Sequence, residues 1–486
     1  MIRPLLIFTF SLLIFCSCKK DVGYVNYGDF PKEIGSIINY NCAVSGCHDS
    51  KSYEAAAKYD LSSWNSMFKG SGSGSPVIPF NSKFSSLCYF INTFDELGIK
   101  NEPVMPLNKK PLSYQDVKTI FDWIDQGAPD VNGNVKWADN PLRSKLYAVN
   151  QGCDVVTVFD SETQLPIRYI EVGTKGGAPD TPHMVRVSPD GQYWYVIFIA
   201  DNVMQKYRCS DDAFVANIPL TPLAAGTGTN DAYDWNTFVI TKDSKKAYAV
   251  SWTSLGKVAC VDLENHSLLN YIAVANNPHA IALSNDETKI YVGAQTGNYL
   301  NEIPSDFSGI NQISIDANPP NANSSLDIHD MILSPNGVDL VITCQKTNEV
   351  RVFNTNSSSV TAVVNVGIYP QEIVYSNVTN EYLVTCMYDN STPGTNGTVA
   401  RINGANYTLK SNFPVGAMPH GLAVDEKKKL LYVLSRNIQT TGPAPHHSSQ
   451  CAGRNGFVSF ISLPTFSILN KRFELSVDPY FISYRK

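Results

Sequence analysis

The sequence predicts a multidomain protein, in which a small all-α domain is followed by an all-β propeller of seven blades. Two observations predict this fold class. Residues 28–130 contain short segments with apolar side chains at helical spacing, and residues 142–486 repeat a β-rich unit seven times. The repeats begin at intervals of roughly 40 to 55 residues, which is the period of a four-stranded propeller blade.

Two helices are predicted in residues 28–130. In the first, within residues 30–41, Ile34, Ile37 and Ile38 share one face. The second begins at Ser113, which forms a near capping box with Asp116. It ends at Gly127. Its apolar face consists of Val117, Ile120, Phe121 and Ile124.

Between these helices, Cys42 and Cys47 are followed at once by His48. Two cysteines and an adjacent histidine are typical of covalently attached haem, because the thiols add to the vinyl groups and the histidine binds the iron. Four residues separate the cysteines here, whereas the usual motif has two. The alternative is a disulfide between Cys42 and Cys47, with His48 incidental.

Further along the domain, Met105 lies in the Pro-rich stretch Glu102–Pro106. Such a loop can present a thioether sulfur as the sixth iron ligand. The alternative is that Met105 is a packing residue in an apolar loop.

The order of these features resembles the cytochrome c-like domains of bacterial surface and periplasmic proteins. Those domains have an N-C…S-G-C-H-D motif, then M-P, then W-I-x-x-G-A, which is seen here as Trp123–Ala128. Some of them share the wider cysteine spacing. The resemblance covers residues 28–130. It implies one haem c held by Cys42 and Cys47, with His48 and Met105 as axial ligands.

The N-terminus predicts export. Arg3 precedes an apolar run from Leu5 to Phe15, which is shorter than the roughly 20 residues that span a bilayer. Such a run is typical of a signal peptide. Ser17 directly before Cys18 favours a lipoprotein signal that spans residues 1–18, with Cys18 as the lipidated residue. Phe15 stands at the position where leucine is usual. The alternative is an ordinary cleaved signal peptide.

The charge of the chain bears on the class of partner that it binds. The net charge of −6 provides no basic patch, so nucleic acid is not an expected partner.

Among the 11 cysteines, Cys344 and Cys386 occupy equivalent places in two adjacent blades. Because a disulfide needs Cα atoms within about 7 Å, we expect both to be buried free thiols. Cys451 follows His446 and His447 in a Pro/Ser/Gly loop, which favours either a peripheral metal site or a mobile surface loop.

Residues 131–141 are polar and rich in Asn, Asp, Gly and Pro, which predicts a linker.

In the propeller, which spans residues 142–486, each repeat unit ends with a strand that often begins with Pro-His. The seventh such strand begins at Pro479-Tyr480, and we expect it to pair with blade one and close the ring. The amino-acid sequence of the repeats resembles that of YVTN-type propellers. The opening strands begin near Leu146, Trp194, Ala247, Ile290, Leu340, Tyr382 and Leu431.

Superposing the repeats places four of the eight histidines at one equivalent point, namely His183, His279, His329 and His420. If this point faces the central channel, the imidazoles could hold copper, zinc or a haem iron. Such a protein would resemble the nitrite reductases that join a cytochrome c domain to a haem-carrying propeller, or the nitrous oxide reductases. The alternative is that each histidine only bonds the backbone of the neighbouring blade. Asn236, Gln371 and Tyr480 occupy the same point in the other blades.

The sequence therefore favours an exported, membrane-anchored lipoprotein, periplasmic or on the cell surface. Its expected function is electron transfer through haem c, with a propeller that docks a redox partner protein or a ligand. One alternative is an oxidoreductase with a second metal or haem in the channel. The other is a non-redox surface binding protein with a Cys42–Cys47 disulfide.

Overall fold

The computed structural model describes residues 26–175, 179–222, 234–324, 326–389 and 396–485. Within these ranges the strands form seven four-stranded sheets, which confirms the predicted seven-bladed propeller. The innermost strands of successive blades contact one another around a central channel.

The strands of each blade run antiparallel, in the following order from the channel outwards. Blade 1 contains β28 (Pro479–Arg485), β1 (Lys145–Asn150), β2 (Val155–Asp160) and β3 (Pro166–Glu171). Blade 2 contains β4 (Pro182–Val187), β5 (Tyr193–Phe198), β6 (Val203–Arg208) and β7 (Phe214–Pro219). Blade 3 contains β8 (Trp235–Ile240), β9 (Lys246–Ser251), β10 (Leu255–Asp262) and β11 (Ser267–Ala275). Blade 4 contains β12 (Pro278–Leu283), β13 (Lys289–Ala294), β14 (Tyr299–Pro304) and β15 (Asn311–Ser314).

The remaining three blades follow the same order. Blade 5 contains β16 (Ile328–Leu333), β17 (Asp339–Cys344), β18 (Glu349–Asn354) and β19 (Ser359–Asn365). Blade 6 contains β20 (Ile368–Ser376), β21 (Glu381–Tyr388), β22 (Gly397–Asn403) and β23 (Leu409–Gly416). Blade 7 contains β24 (Pro419–Asp425), β25 (Leu430–Ser435), β26 (Asn455–Ser462) and β27 (Ser467–Val477).

Burial differs systematically across each blade. The second strands, such as β1 and β17, are buried along their whole length because neighbouring blades cover both of their faces. Outermost strands, such as β7 and β23, consist mainly of exposed and partly buried residues. Continuous apolar runs in the sequence therefore mark the inner strands.

Strand β28 closes the ring. It pairs antiparallel with β1, with Lys145 opposite Arg485 and Ala148 opposite Ile482. Blade 1 thus combines three strands from the beginning of the repeat region with one from the end of the chain. The predicted closure is confirmed, and it removes an exposed sheet edge. The strand that closes each sequence repeat is the innermost strand of the next blade.

Residues 26–144 precede the propeller and are described throughout. Their α-helices are α1 (Lys32–Asn41), α2 (Trp64–Met67), α3 (Ser86–Ile91) and α4 (Tyr114–Asp125), and loops and short 3₁₀ turns make up the rest. The predicted apolar face of α1 is buried. The side chain of Ser113 caps α4 by accepting the amide hydrogen of Asp116 at 3.1 Å. None of the described helices has the length and apolar run that crossing a bilayer requires.

This N-terminal segment packs against the outer strands of blades 1 and 7. Asn81 donates to the carbonyl of Tyr169 at 3.1 Å, and the ring of Phe84 stacks on that of Tyr169 at 4.8 Å. Lys83 pairs with Glu171 at 2.6 Å. Within the predicted linker, Trp137 is buried. The segment is therefore attached along β3, and it does not project away from the ring.

A disulfide joins Cys153 of blade 1 to Cys451 of blade 7. Cys451 therefore has no thiol to offer a metal, which rules out the peripheral metal site expected as one alternative for its loop. His447 of the same loop lies 3.3 Å from Glu474, and its ring contacts that of Phe90. Cys344 and Cys386 are buried free thiols, as expected.

Candidate functional sites

The Cys42–His48 stretch forms a loop directly after α1. The amide of Cys42 donates to the carbonyl of Ile38 at 2.8 Å, and the amide of His48 donates to the carbonyl of Cys42 at 3.2 Å. Cys42 and Cys47 are free thiols, of which Cys42 is buried. Burial, with a smaller effect of Cys47, raises the pKa of the Cys42 thiol to about 12. Cys42 is therefore a neutral thiol at physiological pH.

The ring of His48 is oriented by a backbone contact. Its Nδ1 lies 2.9 Å from the carbonyl oxygen of Tyr59. Since a carbonyl only accepts, Nδ1 carries the hydrogen and the lone pair lies on Nε2. The Tyr59 ring also packs edge-on against the imidazole, with centroids 5.8 Å apart. The backbone contact therefore leaves Nε2 as the ring nitrogen that is available to a metal.

Met105 is partly buried and packs against the hydrophobic core. Its amide donates to the carbonyl of Phe90 at 2.7 Å. These contacts fit the packing role that the sequence leaves open, and the predicted ligand role stays a prediction. The predicted lipidation residue Cys18, with the signal over residues 1–18, lies outside the described residues.

The second candidate site lies in the propeller channel, where the innermost strands begin. The residue two positions before the repeated point has a left-handed backbone in every blade, with φ between 27° and 59°. These residues are Thr181, Asp234, Asn277, Asp327, Tyr369, Met418 and Asp478. Each innermost strand then has a bulge or register shift against its neighbour. Bulges redirect side chains, and here they turn the repeated point into the channel.

The four predicted histidines meet in the channel. His279 stacks on His329 with centroids 4.2 Å apart, and His329 lies 5.5 Å from His420. His183 is 6.0 Å from His279. The ring of Tyr480 closes the circle, at 3.7 Å from His420 and 4.3 Å from His183. Five rings therefore form one closed belt around the channel.

Backbone contacts to the next blade hold two of these histidines. Nδ1 of His279 lies 2.6 Å from the carbonyl oxygen of His329. Nδ1 of His420 lies 3.0 Å from the carbonyl oxygen of Tyr480. The blade-to-blade role foreseen as the alternative is thus present. It uses only one nitrogen of each ring and leaves Nε2 with a lone pair.

Glu372, from blade 6, stands between the histidines of blades 5 and 7. Its Oε1 lies 3.7 Å from Nε2 of His329 and 3.8 Å from Nδ1 of His420. One donor atom from each of the three residues lies within 4.8 Å of the others, and all three are buried. Among the described residues, these three form a group of two histidines and one carboxylate that has the spacing of a metal site.

Two further charged residues adjoin Glu372. Asp330 accepts the amide hydrogens of Met331 at 2.9 Å and of Ile373 at 3.1 Å. Burial, followed by the neighbouring Asp330, holds the pKa of Glu372 well above its usual value. The nearby Arg186 guanidinium acts in the opposite direction. The environment therefore favours the protonated form of the Glu372 carboxyl more than water does.

The imidazoles are neutral. Burial lowers the pKa of His279 to about 4. Burial, with nearby His279 as the next cause, also holds the pKa values of His183 and His329 well below the usual range. The pKa of His420 is likewise well below it, first through burial and then through Arg436. Neutral imidazole is the form that binds metals.

Several polar atoms of this cluster have no hydrogen-bond partner among the described residues. They are Nε2 of His183, both ring nitrogens of His329, Nε2 of His420 and Oε2 of Glu372. An unsatisfied buried polar atom costs about 1–3 kcal/mol. Five of them at one point indicate a site built for a ligand.

Superposing the internal repeats of the sequence identifies the four histidines but not Glu372 or Asp330. A signal existed, because an acidic residue directly follows the repeated point in blades 5 and 6 only. In a regular strand that next side chain would face away from the channel. The bulge between Pro370 and Ile373 breaks this alternation and admits Glu372.

No family model matches the chain, and no curated protein matches it. Two solved structures are similar to part of the chain. A hydrazine synthase structure from Kuenenia stuttgartiensis is 17% identical, with a TM-score of 0.47, and the match covers 64% of this chain and 91% of that chain. A functionally unknown protein from Desulfotomaculum acetoxidans DSM 771 is 13% identical, with a TM-score of 0.49, and the match covers 69% of this chain and 99% of that chain. Neither similarity bears on activity or ligands.

Proposed function

We propose that the protein is an exported c-type haem protein for electron transfer, with one haem c attached to Cys42 and Cys47. The contact between His48 and the Tyr59 carbonyl is the observation that carries this proposal. Histidines that bind metals commonly donate their other ring N–H to a carbonyl, which fixes the ring and its tautomer.

The residues present fit the group. Cys42 and Cys47 are free thiols on one short loop, and His48 follows with Nε2 free of the Tyr59 contact. Bound haem would supply reversible one-electron chemistry. Axial His48 and Met105 would keep the iron six-coordinate, which suits electron transfer better than oxygen activation.

The surrounding segment supports a cytochrome c-like interpretation. Helices α1 and α4 contact each other near their shared core, where Phe30 packs edge-on against Trp123 at 6.1 Å. In this proposal the propeller docks a redox partner protein, and lipidation at Cys18 anchors the protein to a membrane.

The test is a pyridine haemochrome spectrum of the full chain, produced with a c-type maturation system and then denatured. We expect one covalent haem per chain in the wild type and none in the double variant C42A/C47A. The matched control is C260A, which removes a buried free thiol of blade 3 and should retain the haem. Wild type without covalent haem would contradict the proposal and favour a non-redox binding lipoprotein.

A further inference from the structure

The channel cluster is independent of the haem motif, and its ligand chemistry can be specified. We infer that His329, Glu372 and His420 bind one divalent first-row transition-metal ion, such as Zn²⁺ or Fe²⁺, in the propeller channel. The three ligands come from the innermost strands of three consecutive blades, β16, β20 and β24.

The distances suit such an ion. Oε1 of Glu372 lies 3.7 Å from Nε2 of His329. Because Nδ1 of His420 is bonded to the Tyr480 carbonyl, the donor that His420 offers a metal is Nε2, which has no partner among the described residues. Around a tetrahedral zinc with bonds of about 2.1 Å, donor atoms are separated by about 3.4 Å. The separation of Glu372 from His329 is too long for a hydrogen bond, and small side-chain movements would bring the donors of all three residues, which lie within 4.8 Å of one another, to metal-binding positions.

The supporting contacts orient the ligands. Nδ1 of His420 is held by the Tyr480 carbonyl, and the ring of His329 is stacked against that of His279. The innermost strand β20 is also held by the neighbouring blade, since Thr343 of β17 donates to the carbonyl of Gln371 at 2.8 Å. The backbone that carries the ligands is therefore held in place, and only side-chain adjustments are needed when an ion binds.

The charge balance also favours a cation. Glu372 and Asp330 are two neighbouring carboxyls that are both buried, and a bound dication would compensate negative charge there. Arg186 and Arg436 are the nearby opposing charges, and Arg436 is ion-paired with Asp478 at 2.6 Å. Two imidazoles and one carboxylate select zinc, iron or copper over magnesium and calcium, which prefer all-oxygen sites.

Three protein ligands leave a coordination position open, which is the arrangement of catalytic metal sites. His183 and His279 stand beside the three ligands in the same belt. Their rings are placed to bond a small molecule that occupies the open position.

Zinc is the appropriate probe, because haem iron does not interfere with its measurement. Full-length, haem-loaded protein is stripped with a chelator, titrated with Zn²⁺ and measured by calorimetry and mass spectrometry of the metal. We expect one zinc per chain in the wild type and at least a hundredfold loss of affinity in E372Q and H329Q. Mg²⁺ should not compete.

The matched control is H447Q, which removes another histidine that lies beside a carboxylate, Glu474, but outside the channel. It should bind zinc as the wild type does. Wild type with much less than one zinc per chain would overturn the inference, as would folded E372Q and H329Q variants with unchanged affinity. If the variants do not fold, X-ray absorption of zinc-loaded wild type decides. Scattering from two imidazoles supports the site, and its absence overturns it.

Discussion

Nε2 of His329 lies 3.7 Å from Oε1 of Glu372, and their side chains are only 5% and 4% exposed. The two residues belong to adjacent blades and are 43 positions apart, from 329 to 372. Their distance is set by the packing of one blade on the next, since neither the turn nor the strand pairing of one blade contains both. The channel site is therefore a product of the closed ring.

Replacement of Met105 tests its predicted axial role. If Met105 binds the iron, M105L should lower the haem reduction potential by on the order of 100 mV or more, because axial ligands set haem potentials over about 0.8 V. Potentiometric titration measures this shift. Met67, which is buried in the same segment, provides the control, and M67L should leave the potential nearly unchanged. The reverse pattern would assign the role to Met67.

The disulfide should stabilise the ring closure. Cys153 and Cys451 are 298 residues apart, and removal of a bridge over a long loop typically costs about 2–4 kcal/mol. We expect C451S to unfold at a lower temperature in calorimetry. A reductant should lower the wild-type transition to the same temperature and leave the C451S transition in place. Equal sensitivity of both proteins to the reductant would contradict this assignment.

A buried ion pair connects blades 1 and 2. Lys145 donates to Asp212 at 2.8 Å, and both side chains are almost fully buried. D212N should cost about 3–5 kcal/mol, because it leaves the Lys145 charge buried without a counter-ion. Asparagine tolerates the left-handed backbone of this position, φ 61°, so the variant isolates the charge.

The adjacent residue supplies the control for that prediction. Asp211 pairs with Arg208 at 2.7 Å, but both side chains are about half exposed. D211N should therefore cost no more than about 1 kcal/mol. Denaturant unfolding of both variants measures the difference. Equal losses would show that burial does not strengthen the Lys145–Asp212 pair.

Glu381 should make stability depend on pH. Burial raises its pKa, but hydrogen bonds and charge from Arg401 and Lys410 outweigh burial and hold the pKa below its usual value. A carboxyl with a lowered folded-state pKa stabilises the fold above its unfolded-state pKa of about 4.3. This contribution is lost as the pH falls through the folded-state pKa.

E381Q should therefore be less stable than wild type at pH 7, by about 1–3 kcal/mol, and the difference should shrink in acid. Melting temperatures between pH 7 and pH 3 measure this change. E96Q removes an exposed glutamate and should follow the wild-type curve. A constant gap between E381Q and wild type at all pH values would contradict the assignment.

The sequence predicts the propeller well because its information is local and repeated. Apolar strands such as Leu146–Val149 recur at a fixed period, and the strand at Pro479 has no partner in its own repeat. Glu372 is not predictable in this way, since its position in the channel depends on a bulge. The Cys153–Cys451 pair depends on loops from two different blades, whose distance no local pattern encodes.

Strand β28 makes blade 1 a joint between the two ends of the repeat region. The strands of this joint come from the beginning and the end of the repeat region, so it is the last part of the ring whose strands become available together during synthesis. The disulfide joins blade 1 to blade 7, and the N-terminal segment covers the outer strand β3 of blade 1. Resistance to proteolysis and to mechanical opening should therefore be acquired late and in one step, when β28 pairs with β1.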